Sequence, residues 1–343
     1  MIIRTRAYPR AALIGNPSDG YFGKTIAFVF SNYHAGVTLY ESPELDLLPS
    51  LRDHSHFESI QHLAKDVSLH GYYGGIRLLK ATLKKFYDYC QEHDIKLDER
   101  NFTIRYHTTI PNRLGLAGSS AIITACIRAV KRFYGVKIAK PELANLILAV
   151  EKEELGINAG LQDRVAQAYN VPVFMDFDRE YMQEHGYGCY TPISLSDNLN
   201  FYIAFRTDLA EGSEILHGHL RERYEAGIPE VLAAMQEWAD LTVQAGEAIK
   251  NHDYQQLNRL IDRNVALRTE ICSEMISRKN RRMVELAHRV GASAKFTGSG
   301  GAIIGLYQDE EMFENLRKTL ATAQIEVIKP QIVTAGDAAV CPE

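Results

Sequence analysis

The segment Pro111-Asn112-Arg113-Leu114-Gly115-Leu116-Ala117-Gly118-Ser119-Ser120-Ala121 constrains this chain more than any other. Before it, Phe102 to Ile110 alternates, with Phe102, Ile104, Tyr106 and Thr108 on one side, and reads as a strand. After it, Ala121 to Tyr134 has helical period, with Ile122, Ile123, Cys126, Ile127, Val130 and Phe133 as the buried stripe. A strand therefore passes into a helix through small residues. Gly115 and Gly118 let the backbone come close to a ligand, and Ser119 or Ser120 can cap the helix. The first amides of that helix lack internal partners and lie at the positive end of its dipole, which suits a phosphate. The two hydroxyls can reach a Mg2+ carried by the phosphates. An ordinary loop with a serine cap is the competing reading of the segment by itself.

The rest of the chain mixes strand and helix patterns. Ala11 to Gly15, Thr25 to Phe30, Ala35 to Tyr40 and Val171 to Met175 read as strands, and Gly74 to Cys90 and Pro141 to Val150 as helices. Further on, Leu199 to Arg206, Ala302 to Tyr307 and Glu326 to Lys329 are expected strands. Long helical patterns cover about 213–226, 229–250, 254–276, 280–290 and 310–322. The expected class is α+β. With 343 residues the chain exceeds the size at which one core stops growing, so two domains are expected, 1–190 and 191–343.

Composition removes whole classes of function. Apolar residues make up 46% of the chain and nothing repeats at a fixed period, which excludes disordered and solenoid classes. Lys and Arg number 38 against 43 Asp and Glu, a net charge of −5 that argues against a nucleic-acid partner. A small anionic ligand needs only a local positive site and is not excluded. The apolar runs, such as Ile26 to Phe30, are far too short for a membrane helix, and no stretch of signal-peptide character follows Met1 to Leu13. Cys90, Cys126, Cys189, Cys272 and Cys341 are scattered without a CxxC pair, so neither a disulfide framework nor a zinc cage is expected. A cytoplasmic protein is the expectation.

Three other clusters bear on chemistry. Gly298-Ser299-Gly300-Gly301 lies between Lys295-Phe296-Thr297 and an apolar strand, and fits either a substrate-facing turn or a tight hairpin. Glu151 stands at the C-terminal end of an apolar helix, the unfavourable end of the dipole for a carboxylate, where a metal or other cation would offset it. Asp163 follows Gly160-Leu161-Gln162 and opens the pattern Val165, Ala168, Tyr169, as a helix cap or as a working carboxylate. Gly20-Tyr21-Phe22-Gly23-Lys24-Thr25 imitates a nucleotide P-loop but fails on spacing, because Ser18 stands where the first glycine belongs and a strand follows. The pairs His54 and His56, and His217 and His219, have no ligand spacing and no third ligand nearby.

Taken together, the motifs resemble those of the GHMP kinases. Pro9-Arg10-Ala11-Ala12-Leu13-Ile14-Gly15-Asn16-Pro17-Ser18-Asp19 looks like that family's first motif, Pro111 to Ala121 like its phosphate loop, and Lys295 to Gly301 like its third motif. Their occurrence in order across nearly the whole chain is more specific than any one of them. Gly15 to Thr25, Gly71-Tyr72-Tyr73-Gly74-Gly75, Gly160-Leu161-Gln162-Asp163-Arg164-Val165 and Phe296 to Gly301 resemble the plant-type glucuronokinases within the family. The phosphate loop departs from the family pattern by one extra residue before the serine pair.

The resemblance implies a GHMP kinase fold, with an N-terminal domain like ribosomal protein S5 and a ferredoxin-like C-terminal domain. It implies ATP and Mg2+ as cofactors and a uronic acid or related sugar as the partner. By matching positions, Asp163 is the expected catalytic aspartate and Arg10 the arginine that polarises the attacking hydroxyl. Ser120 and Glu151 are the expected metal ligands. Pro111, Arg113, Gly115, Leu116, Ala117, Gly118, Ser119, Ser120 and Ala121 are expected around the ATP phosphates, and Asp19, Lys24, Gly298, Ser299 and Gly300 around the sugar. Lys24 and Arg113 are the candidates for the carboxylate that distinguishes a uronate from a neutral sugar. Other sugar 1-kinases of the family, acting on galacturonate, a heptose, fucose or galactose, are the alternative, and a non-catalytic sugar sensor is a more distant one.

Overall fold

The computed structural model describes residues 1–50, 53, 74–112, 114–196, 198–206 and 214–335, with backbone alone at 214–219 and 275. Arg113, Gly71-Tyr72-Tyr73, His54, His56 and Cys341 lie outside the described residues, as do the side chains of His217 and His219. The chain opens with β1 (Ile2–Ala7), β2 (Arg10–Ile14), β3 (Lys24–Val29), β4 (Ala35–Ser42) and β5 (Asp46–Leu48). Helix α1 (Gly75–Glu92) and β6 (Asn101–Thr108) lead to α2 (Gly118–Phe133) and α3 (Lys140–Ala149). Then follow α4 (Leu161–Tyr169), β7 (Val173–Asp176), α5 (Arg179–His185) and β8 (Cys189–Pro192). The second half carries β9 (Phe201–Arg206), α6 (Glu214–Glu225), α7 (Pro229–Lys250), α8 (Tyr254–Cys272) and α9 (Arg278–Arg289). It closes with β10 (Lys295–Phe296), β11 (Ala302–Leu306), α10 (Glu310–Ala321) and β12 (Ile325–Ile328).

Among the described residues the strands form three four-stranded sheets, ordered β1-β4-β6-β5, β2-β3-β7-β8 and β10-β11-β9-β12. The arrangement is α+β. Every residue of β2 is buried, because α4, α7 and α8 all pack against it. That is why Arg10-Ala11-Ala12-Leu13-Ile14 reads as a continuous apolar run after its arginine instead of alternating. Backbone bonds then tie the three motifs to this strand: Arg10 N–H donates to Leu116 O at 3.1 Å, and Ala12 N–H to Thr297 O at 3.1 Å. The apolar core crosses from the first half into the second, where Phe28 packs on Phe201 with ring centroids 5.7 Å apart.

Some elements depart from expectation. In sequence, Arg4 and Arg6 make β1 look like a charged terminus. In fact Ile3, Thr5 and Ala7 are buried and the arginines face out, the strict alternation of a half-buried strand. The pattern assigned to 254–276 ends as α-helix at Cys272, with a 3-10 turn over Ser273–Met275.

Candidate active site

The phosphate loop meets α2 at Ala117, which adopts the left-handed conformation at φ 60°, and Gly115 before it has φ 66°. No side chain caps α2. The strain at a non-glycine residue and the uncapped first turn together leave the helix N-terminus open to an anion. Because successive helical residues turn by about 100°, the two serines face different ways. Ser119 Oγ donates to Glu151 Oε1 at 2.7 Å, whereas Ser120 is fully buried and its hydroxyl returns to Ala117 O at 3.1 Å. The expectation of Ser120 beside Glu151 is therefore corrected to Ser119.

Glu151 sits in a π-helical turn, Val150–Glu154, that prolongs α3. Its carboxylate is fully buried. The cation that this helix end requires turns out to be a protein group: Arg164 on α4 donates Nε to Glu151 Oε2 at 2.6 Å and pairs with the same oxygen through Nη2. Arg164 also donates to Gly160 O at 2.9 Å and lies 3.3 Å from Asp163 Oδ2. Nothing in the sequence distinguished Arg164 from a surface arginine except its place beside Asp163.

Asp163 is not a cap, since α4 starts at Leu161 from Gly160. Its Oδ1 pairs with Arg10 Nη2. The other arm of Arg10, Nη1, donates to Thr297 O and, at 3.4 Å, to Gly115 O. One buried guanidinium thus touches the catalytic-aspartate candidate, the phosphate loop and the third motif. Asp19 lies against Gly160: a Cβ placed there would stand 2.7 Å from Asp19 Oδ2. Burial, reinforced by the negative Asp163, pushes the Asp19 carboxyl up to about 7 despite the nearby Arg10. Gly15, at φ 92°, allows the chain to pass within reach of Lys24 O, which a Cβ would approach to 2.1 Å.

The structure does not bring the Lys24 ammonium to this cluster as a free charge, because it pairs with Asp176 across the β3–β7 ladder. Gly298, Ser299 and Gly300 do approach the phosphate loop: a Cβ on Gly298 would be 2.7 Å from Gly115 O, and one on Gly115 2.9 Å from Gly300 O. Sequence reasoning missed several buried polar groups behind these turns. Lys295 Nζ donates to Ala12 O at 2.7 Å and Phe296 O at 2.8 Å, and burial with the nearby Arg268 and Arg10 holds its pKa well below the usual lysine value. Asn264 and Asn280 accept the amides of Gly15 and Gly301 at 2.7 and 2.9 Å. Their signal was faint, a polar residue interrupting the apolar stripe of a helix.

The uncapped phosphate loop, the buried carboxylates and the interlocked motifs form one cluster that suits a phosphotransferase of the GHMP type. The sequence comparisons agree: the family descriptions "GHMP kinases N terminal domain" and "GHMP kinases C terminal" match residues 77–170 and 246–324. The chain belongs to the GHMP kinases. It is 38% identical to Glucuronokinase 1 of Arabidopsis thaliana over 98% of this chain and 94% of that protein. It is 40% identical to Probable glucuronokinase 2 of the same plant, over 88% of this chain and 84% of that protein. Among solved structures it resembles Streptococcus pneumoniae phosphomevalonate kinase, with a TM-score of 0.75 at 14% identity, covering 97% of this chain and 100% of that one.

Proposed function

We propose that this protein transfers the γ-phosphoryl group of ATP to the anomeric hydroxyl of D-glucuronate, giving 1-phospho-α-D-glucuronate and ADP. The carrying observation is the position of Arg10, in contact at once with Asp163, Gly115 O and Thr297 O. The choice of sugar rests on the two plant relatives named glucuronokinase.

In this reading the amides at the start of α2 bind the phosphates. Asp163 accepts the proton of the attacking hydroxyl, or orients it, and Arg10 holds that carboxylate in place and offsets developing charge. Asp19 accepts hydrogen bonds from the sugar hydroxyls. Glu151 Oε1 and Ser119 Oγ, 2.7 Å apart, are hard oxygen donors suited to Mg2+. When bound, Mg2+ supplies neutralisation of phosphate charge. Residues 1–190 then form the nucleotide half and 191–343 the half that closes the site with its third motif. A cytoplasmic setting accords with Cys90, Cys126, Cys189 and Cys272 being free thiols. No helix among the described residues is long and apolar enough to cross a membrane.

Release of ADP with a panel of uronic acids and neutral hexoses tests the reading. Fastest turnover is expected on glucuronate, and faster turnover on a neutral hexose or a heptose refutes it.

A further inference from the structure

Helix α8 grips two of the motifs from behind with residues one helical turn apart. Asn264 accepts Gly15 N–H at 2.7 Å and donates to Asn16 O at 3.3 Å. Arg268 donates Nη1 to Gly298 O at 2.7 Å and Nη2 to Ser299 O at 2.5 Å, with its guanidinium 4.8 Å from the Phe296 ring centroid. Arg268 is only 3% exposed, its Nε has no partner, and no carboxylate among the described residues pairs with it. Burial pushes its pKa down to about 10. A buried cation without a counter-ion is costly, and an aliphatic residue on this helix face would fill the space without that cost. What the aliphatic residue lacks is two donors in a rigid fork.

The fork has a geometric consequence. In a trans peptide the carbonyl of one residue and the amide of the next point in opposite directions. With the Gly298 and Ser299 carbonyls turned to Arg268, the Ser299 and Gly300 amides point away from it. Both amide nitrogens lie beside the phosphate loop, where a Cβ on Gly115 would stand 3.4 Å from Ser299 N and 3.6 Å from Gly300 N, with Gly300 O closer still at 2.9 Å. No acceptor among the described residues takes either amide.

Resting on the kinase reading above, we propose that Arg268 is a positioning residue for phosphoryl transfer: its grip on the two carbonyls turns the Ser299 and Gly300 amides toward the phosphate loop, as fixed donors to phosphate oxygens of the nucleotide. A lysine keeps the charge but cannot hold both carbonyls in a plane.

The test compares wild type, Arg268→Lys and Arg268→Leu, each checked for folding by its melting temperature. Turnover is measured on whichever sugar of the panel the wild type uses fastest, and MgAMPPNP affinity by calorimetry. Loss of fixed donors predicts kcat lower by about 10-fold or more in Arg268→Lys and about 100-fold in Arg268→Leu. The sugar KM should stay within threefold, and MgAMPPNP should bind about tenfold more weakly. Wild-type kcat and nucleotide affinity in folded Arg268→Lys overturn the proposal, as does a raised sugar KM with kcat retained. If glucuronate is not the fastest sugar, the substrate reading fails while the same variants still decide the role of Arg268. If the wild type turns over no sugar, the nucleotide affinities decide it.

Discussion

Replacing Asp163 by asparagine keeps the shape of the site and removes one charge. The Arg10 side chain is 5% exposed and that of Asp163 18%, so the pair stands largely out of water. Neutralising one partner of a buried pair typically costs about 3–5 kcal/mol. Here the loss is smaller, because Arg10 keeps Thr297 O and Gly115 O as acceptors and the Asp163 side chain keeps some contact with solvent. We expect roughly 2–3 kcal/mol of stability to be lost, visible as a melting temperature lower by a few degrees. The chemical loss is separate. An amide cannot accept the hydroxyl proton, and it no longer holds Arg10 by charge, so kcat should fall at least ~100-fold. The phosphate loop amides, Ser119 and Glu151 are untouched, so MgAMPPNP should bind with nearly wild-type affinity. A coupled ADP-release assay, a thermal melt and calorimetry on the same preparation separate the three effects. Turnover within threefold of wild type would refute the assignment of Asp163, and lost nucleotide binding with turnover retained would refute the whole placement.

Two further perturbations probe the rest of the site. Ser119→Ala should raise the Mg2+ concentration needed for half-maximal rate and lower kcat about 10-fold or more, because it removes the hydroxyl on Glu151 Oε1, whereas Ser120→Ala should leave the Mg2+ dependence unchanged. The opposite ranking in a Mg2+ titration would return the metal to Ser120. Asp19 has an ordinary carboxyl value of 3.8 raised to about 7 in the folded chain. An acid whose folded value is raised binds more protons folded than unfolded, so its contribution to stability is lost as pH climbs from about 4 to 7. As an acceptor of sugar hydroxyls it works ionised, so kcat/KM for the sugar should rise between pH 6 and 8. Asp19→Asn should lower and flatten that profile and gain relative stability at pH 8. An unchanged pH profile in Asp19→Asn would contradict this role.

Much of this was legible from sequence because the motifs are local. The turn Gly115 to Ser120 between a strand and an amphipathic helix points to an anion site within six residues, and Asp163 and Glu151 belong to short recognisable runs. The groups that escaped are those whose meaning depends on distant partners. Ser119 and Ser120 are indistinguishable in sequence, and only the helix phase sends one to Glu151 and the other to Ala117 O. Lys24 looked like a free cation until β3 paired with β7 and set Asp176 against it. Arg164, Arg268 and Lys295 act on residues as many as 283 positions away, and no periodicity or spacing carries that information. The carboxylate at the end of α3 asks, in sequence, for a metal or other cation, and only the fold sets the Arg164 guanidinium against it.

In the proposed reaction phosphate is placed on C1 of glucuronate. Glucuronate labelled with 13C at C1, incubated with ATP, Mg2+ and the protein, should give a product whose C1 resonance is split by coupling to phosphorus, with one ADP formed per molecule converted. A product without that splitting, or ADP formation that does not depend on glucuronate, would rule out phosphoryl transfer to C1 of glucuronate.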